Sequence, residues 1–390
     1  MAGYQAELRR IEQDIARIGG AEALAMPIDP ARATQYVYYL YQTASITGNL
    51  VQLSAVEHAI ERALPLLVNP GDLYLLKANV AFKLHKLTEV EAALVAVPSV
   101  YDSNEGRLIR TDLNFQRGKY HEAKIGYVDA LRVERSWGAL ARLAYFHGKM
   151  DDVAGADRLY EEAEDLLTAK EMRSYAWLEV QRGFLAFAHG RYGEAQSHYA
   201  RAEAAYPGYW LVAEHIAELM GAEGKYGEAI EILKSINSTT DRPDLQQAIG
   251  ELYEVAGDAA RARNWHRRAL TGYLQSAQRG EVHYYHHLAD YYSDVAKDGA
   301  QAVRWAQADV QLRENFSTQA ALAWALYRNG QLDDACDWID RALASSAVEP
   351  HLFSRAAKIH VGAGNIDGAR NYMERATRLN PSIGEFHLHH

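Results

Sequence analysis

The residues best equipped for chemistry lie in one segment, residues 283–292, with the sequence HYYHHLADYY. Three histidines and one aspartate of this segment fall at positions i, i+3, i+4 and i+7: His283, His286, His287 and Asp290. A helix would place all four on one face. Histidines at such spacing can ligate zinc or nickel, and a carboxylate can complete the site. Partner contact and ordinary polar surface are the alternative uses of the same segment.

Enzyme motifs are absent from the sequence. It contains no nucleophile elbow, no phosphate-binding loop with its lysine, and no histidine pair flanking a helical glutamate. The glycines of residues 362–368 superficially resemble a dinucleotide loop, but their spacing is wrong and they fall between two predicted helices, whereas that loop follows a strand. We therefore expect a protein that is not an enzyme and that binds no cofactor.

A repeat of about 34 residues must position these side chains. A small apolar residue recurs ten times, at intervals of 33 to 40 residues: Val56, Val90, Ala123, Ala156, Ala195, Ala229, Ala262, Ala302, Ala335 and Ala369. A second small position follows seven residues later, with Asp309 among its departures, and a third precedes by twelve residues. Ala289 fits the third only if one residue is inserted in the following turn. Self-similarity at this period predicts a stacked helical array, because small side chains let two helices cross closely.

One unit carries the pattern most clearly: Gly183…Gly190-Arg191-Tyr192-Gly193-Glu194-Ala195…Tyr199…Ala202…Pro207. It resembles a tetratricopeptide repeat almost position for position. The resemblance is strong over 176–381, fair over 104–172 and weaker over 37–98. It implies an all-α fold, a right-handed superhelical solenoid of about ten antiparallel helix pairs. It also implies that the first helix of each pair lines a concave groove.

The N-terminal residues 1–35 are predicted to form a capping helix and a loop that contains Pro27 and Pro30. Apolar residues recur there at helical spacing among charges. Residues 36–381 are predicted to form one continuous solenoid. Residues 382–390 form a histidine-rich C-terminal tail, which we leave out of metal-site reasoning because it also matches the remnant of an expression tag.

Within the solenoid, the sequence divides into three sub-blocks: 36–172, 173–280 and 281–381. The divisions fall where the spacing stretches to 39 and 40 residues. We attribute the stretches to second helices that are extended over Glu162–Arg173 and Thr271–Glu281.

The resemblance implies which side chains line the groove. They are aromatic, apolar, acidic or histidine residues: Trp177, Val180, Phe184, Phe187, Glu214, Glu218, Asp244, Glu251, Glu254, His283, His286, Asp290, Trp324 and Tyr327. Aromatic residues exposed in a concavity are strong anchors for a partner. The alternative is that neighbouring helices cover them, which would make them core. The acidic residues of 214–254 favour a Lys- or Arg-bearing peptide, whereas Arg328 and Lys358 reverse the charge further on.

The net charge, the cysteine count and the absence of long apolar runs limit the partners and the compartment that we expect. A net charge of −10 argues against a nucleic-acid binder and permits a basic partner. The single cysteine, Cys336, excludes an internal disulfide and a cysteine-rich zinc site. No apolar run is long enough to cross a bilayer, and the first 25 residues lack the pattern of a secretory signal. We therefore expect a cytoplasmic protein without membrane insertion, and the sequence leaves its oligomeric state open.

The sequence thus predicts a non-enzymatic scaffold that binds an extended peptide or a helix of a partner protein in its concave groove. The alternative is a sensor that binds a small ligand or a metal inside the superhelix near His283–Asp290.

Overall fold

The computed structural model describes residues 3–24, 29–150, 152–384 and 386, and every regular element in these ranges is helical. Helix α1 (Tyr4–Arg17) comes first and is followed by five helix pairs, repeats 1 to 5. Their helices, with the short α6 between repeats 2 and 3, are α2 (Pro30–Thr47), α3 (Leu50–Ala63), α4 (Gly71–Lys83), α5 (Leu87–Val95), α6 (Pro98–Tyr101), α7 (Asn104–Gln116), α8 (Tyr120–Val133), α9 (Trp137–Lys149), α10 (Val153–Asp165), α11 (Met172–Ala188) and α12 (Tyr192–Ala205).

Repeats 6 to 10 continue the same pattern. Their helices are α13 (Trp210–Ala222), α14 (Tyr226–Thr240), α15 (Pro243–Val255), α16 (Ala259–Gln278), α17 (Tyr285–Asp290), α18 (Gly299–Leu312), α19 (Phe316–Arg328), α20 (Leu332–Ala344), α21 (Pro350–Gly362) and α22 (Ile366–Leu379). Within each pair the two helices pack on each other, and we call them the A helix and the B helix. The expected all-α solenoid of about ten helix pairs, preceded by an N-terminal helix, is confirmed.

The small residues of the repeat lie where the two helices of a pair cross. All ten residues of the first register are at most 4% exposed. The reason is clearest where the A helix carries glycine: a Cβ on Gly183 would lie 2.3 Å from the ring of Tyr199, and one on Gly250 would lie 2.1 Å from the ring of His266. A B-helix ring therefore covers the A-helix backbone directly, which only a minimal side chain permits.

Glycine also ends the A helix in most repeats. Five residues before the first register the chain has a glycine with φ between 68° and 85°: Gly118, Gly190, Gly224, Gly257, Gly330 and Gly364. This left-handed conformation closes a helix and disfavours residues with a Cβ. In repeats 2 and 8 the same position holds His85 and Lys297, with φ of 60° and 56°.

The array winds so tightly that residues about 200 positions apart are in contact. The backbone N–H of Phe316 donates to the hydroxyl of Tyr120 at 2.7 Å, and the N–H of Val348 donates to the carbonyl of Lys149 at 2.9 Å. One hydrophobic cluster accordingly joins residues of 108–146 to residues of 269–359. We call repeats 1–5 the first turn and repeats 6–10 the second turn.

Helix α1 serves both turns. It packs on α2 as a cap, and its Tyr4 and Ile11 share a hydrophobic cluster with residues of α11 to α13. The hydroxyl of Tyr206 donates to Glu7 at 2.6 Å. The cap therefore closes the start of the array against its sixth repeat. Pro30 begins α2, and Pro27 lies outside the described residues.

Two local expectations can be checked at the stretched spacings. The extension over Thr271–Glu281 is confirmed in part, because α16 runs to Gln278. The extension over Glu162–Arg173 is wrong: α10 ends at Asp165, and the extra length belongs to a loop and to the early start of α11 at Met172. The additional residue expected after Ala289 is present as a π-helical turn over Tyr291–Val295.

Across the described ranges, none of the helices combines the length and the apolar character that spanning a membrane requires.

Candidate functional site

The A helices of the first turn surround a cavity of about 680 Å³. In four of the five A helices, the residue directly after the third-register position lines this space: Ser45, Asn79, Asp112 and Tyr145. The register residue packs one face of the A helix against its B helix, so the next residue is turned toward the interior. The repeat therefore positions at least one cavity-lining side chain in each of repeats 1 to 4.

Aromatic side chains form much of the cavity wall. The rings of Trp137 and Trp177 meet edge to face, with centroids 6.3 Å apart, and the ring of Tyr145 meets Phe115 in the same way at 5.7 Å. Tyr145 remains 43% exposed. Such rings offer a partner a large apolar area at low cost in side-chain entropy.

A buried ionic group crosses the same wall. Arg142 donates to Asp112 and to Glu105, each at 2.9 Å, and the hydroxyl of Tyr127 donates to Asp112 at 2.8 Å. Burial raises the pKa of Asp112, and the bonds from Arg142 and Tyr127 oppose that rise. The carboxylate is therefore held in place by two donors. Lys83, also on the wall, is exposed.

The four predicted groove residues of α11 divide between cavity and core. Trp177 lines the large cavity, and Phe184 lines a small adjoining cavity of about 40 Å³. Val180 and Phe187 are 0% and 1% exposed and lie in the core. They stand at i−3 and i+4 from Gly183, so they share its packing face. The alternative reading of these residues as core holds for this pair.

The predicted acidic stretch is internally paired. Arg242 donates to Glu214 at 2.9 Å and also bonds to Asp244, while its guanidinium lies 4.7 Å from the ring centre of Trp210. Glu218 is 1% exposed and lies 3.3 Å from His215. Glu214 and Asp244 are therefore paired with Arg242, and Glu218 is buried.

Two other acidic groove residues differ in exposure. Glu251 accepts a hydrogen bond from Gln247 at 2.8 Å, and burial raises its pKa to about 7, with Asp290 and Asp294 adding to the rise. Glu254 is exposed. Glu251 is therefore a carboxyl group poised to titrate near neutral pH.

The aromatic pair of the second turn is packed. Trp324 is 9% exposed, and its indole N–H donates to Asp294 at 2.9 Å. Tyr327 stacks on it, with ring centroids 5.2 Å apart. This pair is therefore packed on itself and bonded to Asp294 within the second turn.

The histidine–tyrosine segment does not form one helical face. His283 lies in the turn before α17, 4% exposed, with Nε2 3.4 Å from the hydroxyl of Ser276. His287 stacks on Tyr273 at 5.5 Å, and Asp290 accepts from Arg355 at 3.2 Å. The expectation that one helical face carries all four residues is wrong, because α17 begins only at Tyr285.

Burial shifts the pKa values of two of the histidines and of the aspartate in this segment. It lowers the pKa of His283 to about 4 and that of His286 well below its usual value, and it raises the pKa of Asp290 to about 6. Both imidazoles are therefore neutral near pH 7. The ring of His286 faces the first turn, 5.7 Å from the ring of His85.

Several cavity residues were missed by the sequence analysis. They include Trp137, Arg142, Tyr145 and Asp112. The signal that could have found Tyr145 was already in the sequence, since it directly follows Ala144 of the third small register. Asp112 follows Thr111, which departs from that register, and no position in the repeat pattern marks Arg142 or Trp137.

Comparison with known proteins supports the repeat assignment. Residues 186–252 match the family model described as tetratricopeptide repeat. The expected resemblance is thereby confirmed over the segment from α11 to α15. No curated protein sequence matches the chain.

Three solved structures are similar to the chain. Cut9 with Hcn1 from the APC/C is 14% identical, covering 98% of this chain and 81% of that one, with a TM-score of 0.43. Yeast Tom70 is 11% identical, covering 96% and 92%, with a TM-score of 0.44. A tetratricopeptide repeat protein from Parabacteroides merdae is 15% identical, covering 63% and 93%, with a TM-score of 0.38. With TM-scores under 0.5, these likenesses carry no argument about function.

Proposed function

We propose that this tetratricopeptide-repeat array is a non-enzymatic scaffold that binds an extended peptide of a partner protein in the cavity of its first turn. Repeats of this family are generally protein-interaction scaffolds. The observation that carries the proposal is the cavity of about 680 Å³ with Trp137, Trp177 and Tyr145 on its wall. Its volume lies in the range of ligand-binding clefts.

The lining of the cavity supports an extended peptide, because side chains from successive A helices line it. An extended chain reaches about 3.3 Å further with each residue. It can therefore present alternate side chains to the aromatic wall and to the polar groups opposite.

An exposed lysine of the cavity wall supports a neutral or acidic peptide. Lys83 lines the cavity and is exposed, whereas Arg142 is paired with Asp112 and Glu105 and Arg173 lies 3.6 Å from Glu7. The acidic residues that suggested a basic partner lie in the second turn, where Arg242 binds two of them. We therefore place selection in the first turn, with Lys83 attracting an acidic side chain or a terminal carboxylate.

Peptide selection on the whole protein tests this proposal. Peptides enriched from a random displayed library are synthesised with a fluorophore, and their affinity is measured by anisotropy. Trp177→Ala and Tyr145→Ala should each weaken binding by more than about 1 kcal/mol, or about fivefold. Trp338→Ala is the matched control, because Trp338 lies on B helix α20 outside the cavity. Unchanged affinity in both cavity variants, with both folded, would exclude this cavity as the site.

A further inference from the structure

Two residues depart from the repeat pattern in ways that cost stability. His85 occupies the helix-ending position that is glycine in repeats such as Gly118 and Gly190, and it takes the left-handed φ of 60°. Asp309 occupies the second small register, where Ala63 and Ala342 are typical, and it is 2% exposed. A strained histidine and a carboxylate in a helix-packing position are both unfavourable for a purely structural repeat.

The winding of the array brings these two departures together. His85 lies in repeat 2 of the first turn, and Asp309 lies in α18 of repeat 8. The ring of His286, at the start of the same repeat 8, lies 5.7 Å from the ring of His85. One nitrogen or oxygen from each of the three side chains can be chosen so that all three atoms lie within 4.8 Å of one another.

Two nitrogens at this junction lack partners. In the part of the chain that the structure describes, the Nδ1 atoms of His85 and His286 are buried and have no hydrogen-bond partner. Buried polar atoms nearly always have one, and a ring nitrogen that finds no donor or acceptor is suited to a metal ion. The junction therefore holds two available imidazole ligands beside a carboxylate.

Arg313 completes the surroundings of the carboxylate. Its Nε and Nη2 atoms donate to the two oxygens of Asp309 at 3.1 and 2.9 Å. Each oxygen keeps a further lone pair, and metal-bound carboxylates are commonly held by such a second donor. The arginine also balances the charge of Asp309 when no cation is bound, so folding of the array does not depend on a metal.

We propose that His85, His286 and Asp309 bind a divalent transition-metal ion of the zinc class and thereby clamp the first turn to the second. Zinc bonds of about 2.0–2.2 Å in tetrahedral geometry put ligand atoms about 3.3 Å apart, so the three side chains close by about 1.5 Å at most. Two imidazoles and one carboxylate suit zinc or cobalt better than magnesium or calcium, which prefer all-oxygen sites. The fourth position is left for water or a ligand.

The site is independent of peptide binding in the cavity. It differs from the metal site considered from the sequence, because His85 and Asp309 take the places of His283, His287 and Asp290 in the ligand set. A clamp between residues about 200 positions apart would fix the pitch of the superhelix.

The histidine at the turn offers a test that does not endanger folding. His85→Gly restores the residue that other repeats have at this position, so it should keep or raise the Tm while removing a ligand. Lys297→Gly is the matched control, since Lys297 has the same turn position and a similar φ of 56° in repeat 8. All proteins carry His387→Ala, His389→Ala and His390→Ala, so that the C-terminal histidines bind no metal.

Zinc affinity is measured by competition with a chromophoric chelator, and cobalt is added to record its absorption spectrum. We expect one zinc ion per chain, a cobalt spectrum of a four-coordinate site, and a Tm that rises with zinc. His85→Gly and His286→Ala should each weaken zinc binding by more than about 100-fold, beyond the effect of losing a second-shell partner, and Lys297→Gly should not. Absence of stoichiometric zinc binding in the parent protein, or equal affinity in His85→Gly, would overturn the proposal.

Discussion

The two turns of the superhelix use the same repeat to build opposite interiors. In the first turn, the residues that follow the small packing positions border an open cavity, as Asn79 and Tyr145 do. In the second turn, the same positions hold Glu251, Asp290 and Trp324, and these side chains bond to others within the protein. The helix-pair pattern recurs in both turns, and the side chain at this one position differs between them.

Three long cationic side chains of the second turn are nearly buried beside carboxylates. Arg242, Arg313 and Arg355 each reach a carboxylate, and their side chains are only 13–15% exposed. Carboxylates that face inward attract arginines, and the arginines bond to them at short distance. In the proposed function, the first turn binds the peptide and the second turn supplies rigidity.

The largest expected effect is on the free energy of unfolding, and it compares a core residue of α11 with a cavity residue of α11. Phe187→Ala should lower the free energy of unfolding by about 4 kcal/mol, since a fully buried ring is lost. Trp177→Ala should cost clearly less, because Trp177 borders open space. Urea denaturation of both variants measures the two losses. Equal losses would contradict the division of α11 into a core face and a cavity face.

Breaking the ion pairs of Arg242 in the second turn should lower the free energy of unfolding by nearly as much. Arg242→Met keeps much of the side-chain volume but removes the cation shared by Glu214 and Asp244. The free energy of unfolding should fall by about 3 kcal/mol, since a buried charge loses its counterion. Arg132→Met, which removes an exposed pair with Asp129, is the control and should cost well under 1 kcal/mol. A loss of that small size for Arg242→Met would show that the network is not structural.

The second turn should also respond to pH through Glu251. A carboxyl group whose pKa is raised on folding binds its proton more tightly in the folded state, so it favours folding at low pH. That contribution declines as the pH rises from about 4.5 through about 7. Compared with the wild type, Glu251→Gln should therefore gain about 2–3 kcal/mol of stability between pH 4.5 and 8. Parallel denaturation curves at these pH values measure the difference, and a constant difference would mean that Glu251 is not shifted.

The smallest expected effect is on peptide affinity, and it is measured for one tryptophan from each turn. For a peptide selected on the wild-type protein, Trp177→Ala should lower affinity by more than about 1 kcal/mol. Trp324→Ala should leave affinity unchanged while lowering stability, because Trp324 is buried against Tyr327 and Asp294. Anisotropy titrations beside thermal melts separate the two results. The opposite pattern would move the binding site to the second turn.

Much of the fold could be predicted from the sequence because its causes are local. The small residues predicted every helix crossing, and the extra residue after Ala289 marked the π-helical turn. The site was predicted less well. Trp177 lines a cavity, whereas Val180 and Phe187, which were assigned to the groove with it, lie on the packing face of Gly183. Their use in partner binding remains a prediction.

The sequence by itself determined the repeat and the helix pairs, since these depend on contacts within about 40 residues. Only the tertiary structure decided which units meet across the turns, such as His85 with His286 or Tyr120 with Phe316. The physical reason is that small rotations between successive repeats add up along the array. Each repeat adds a small rotation to the next, and a change of a few degrees per unit, summed over about six units, would carry these side chains out of contact.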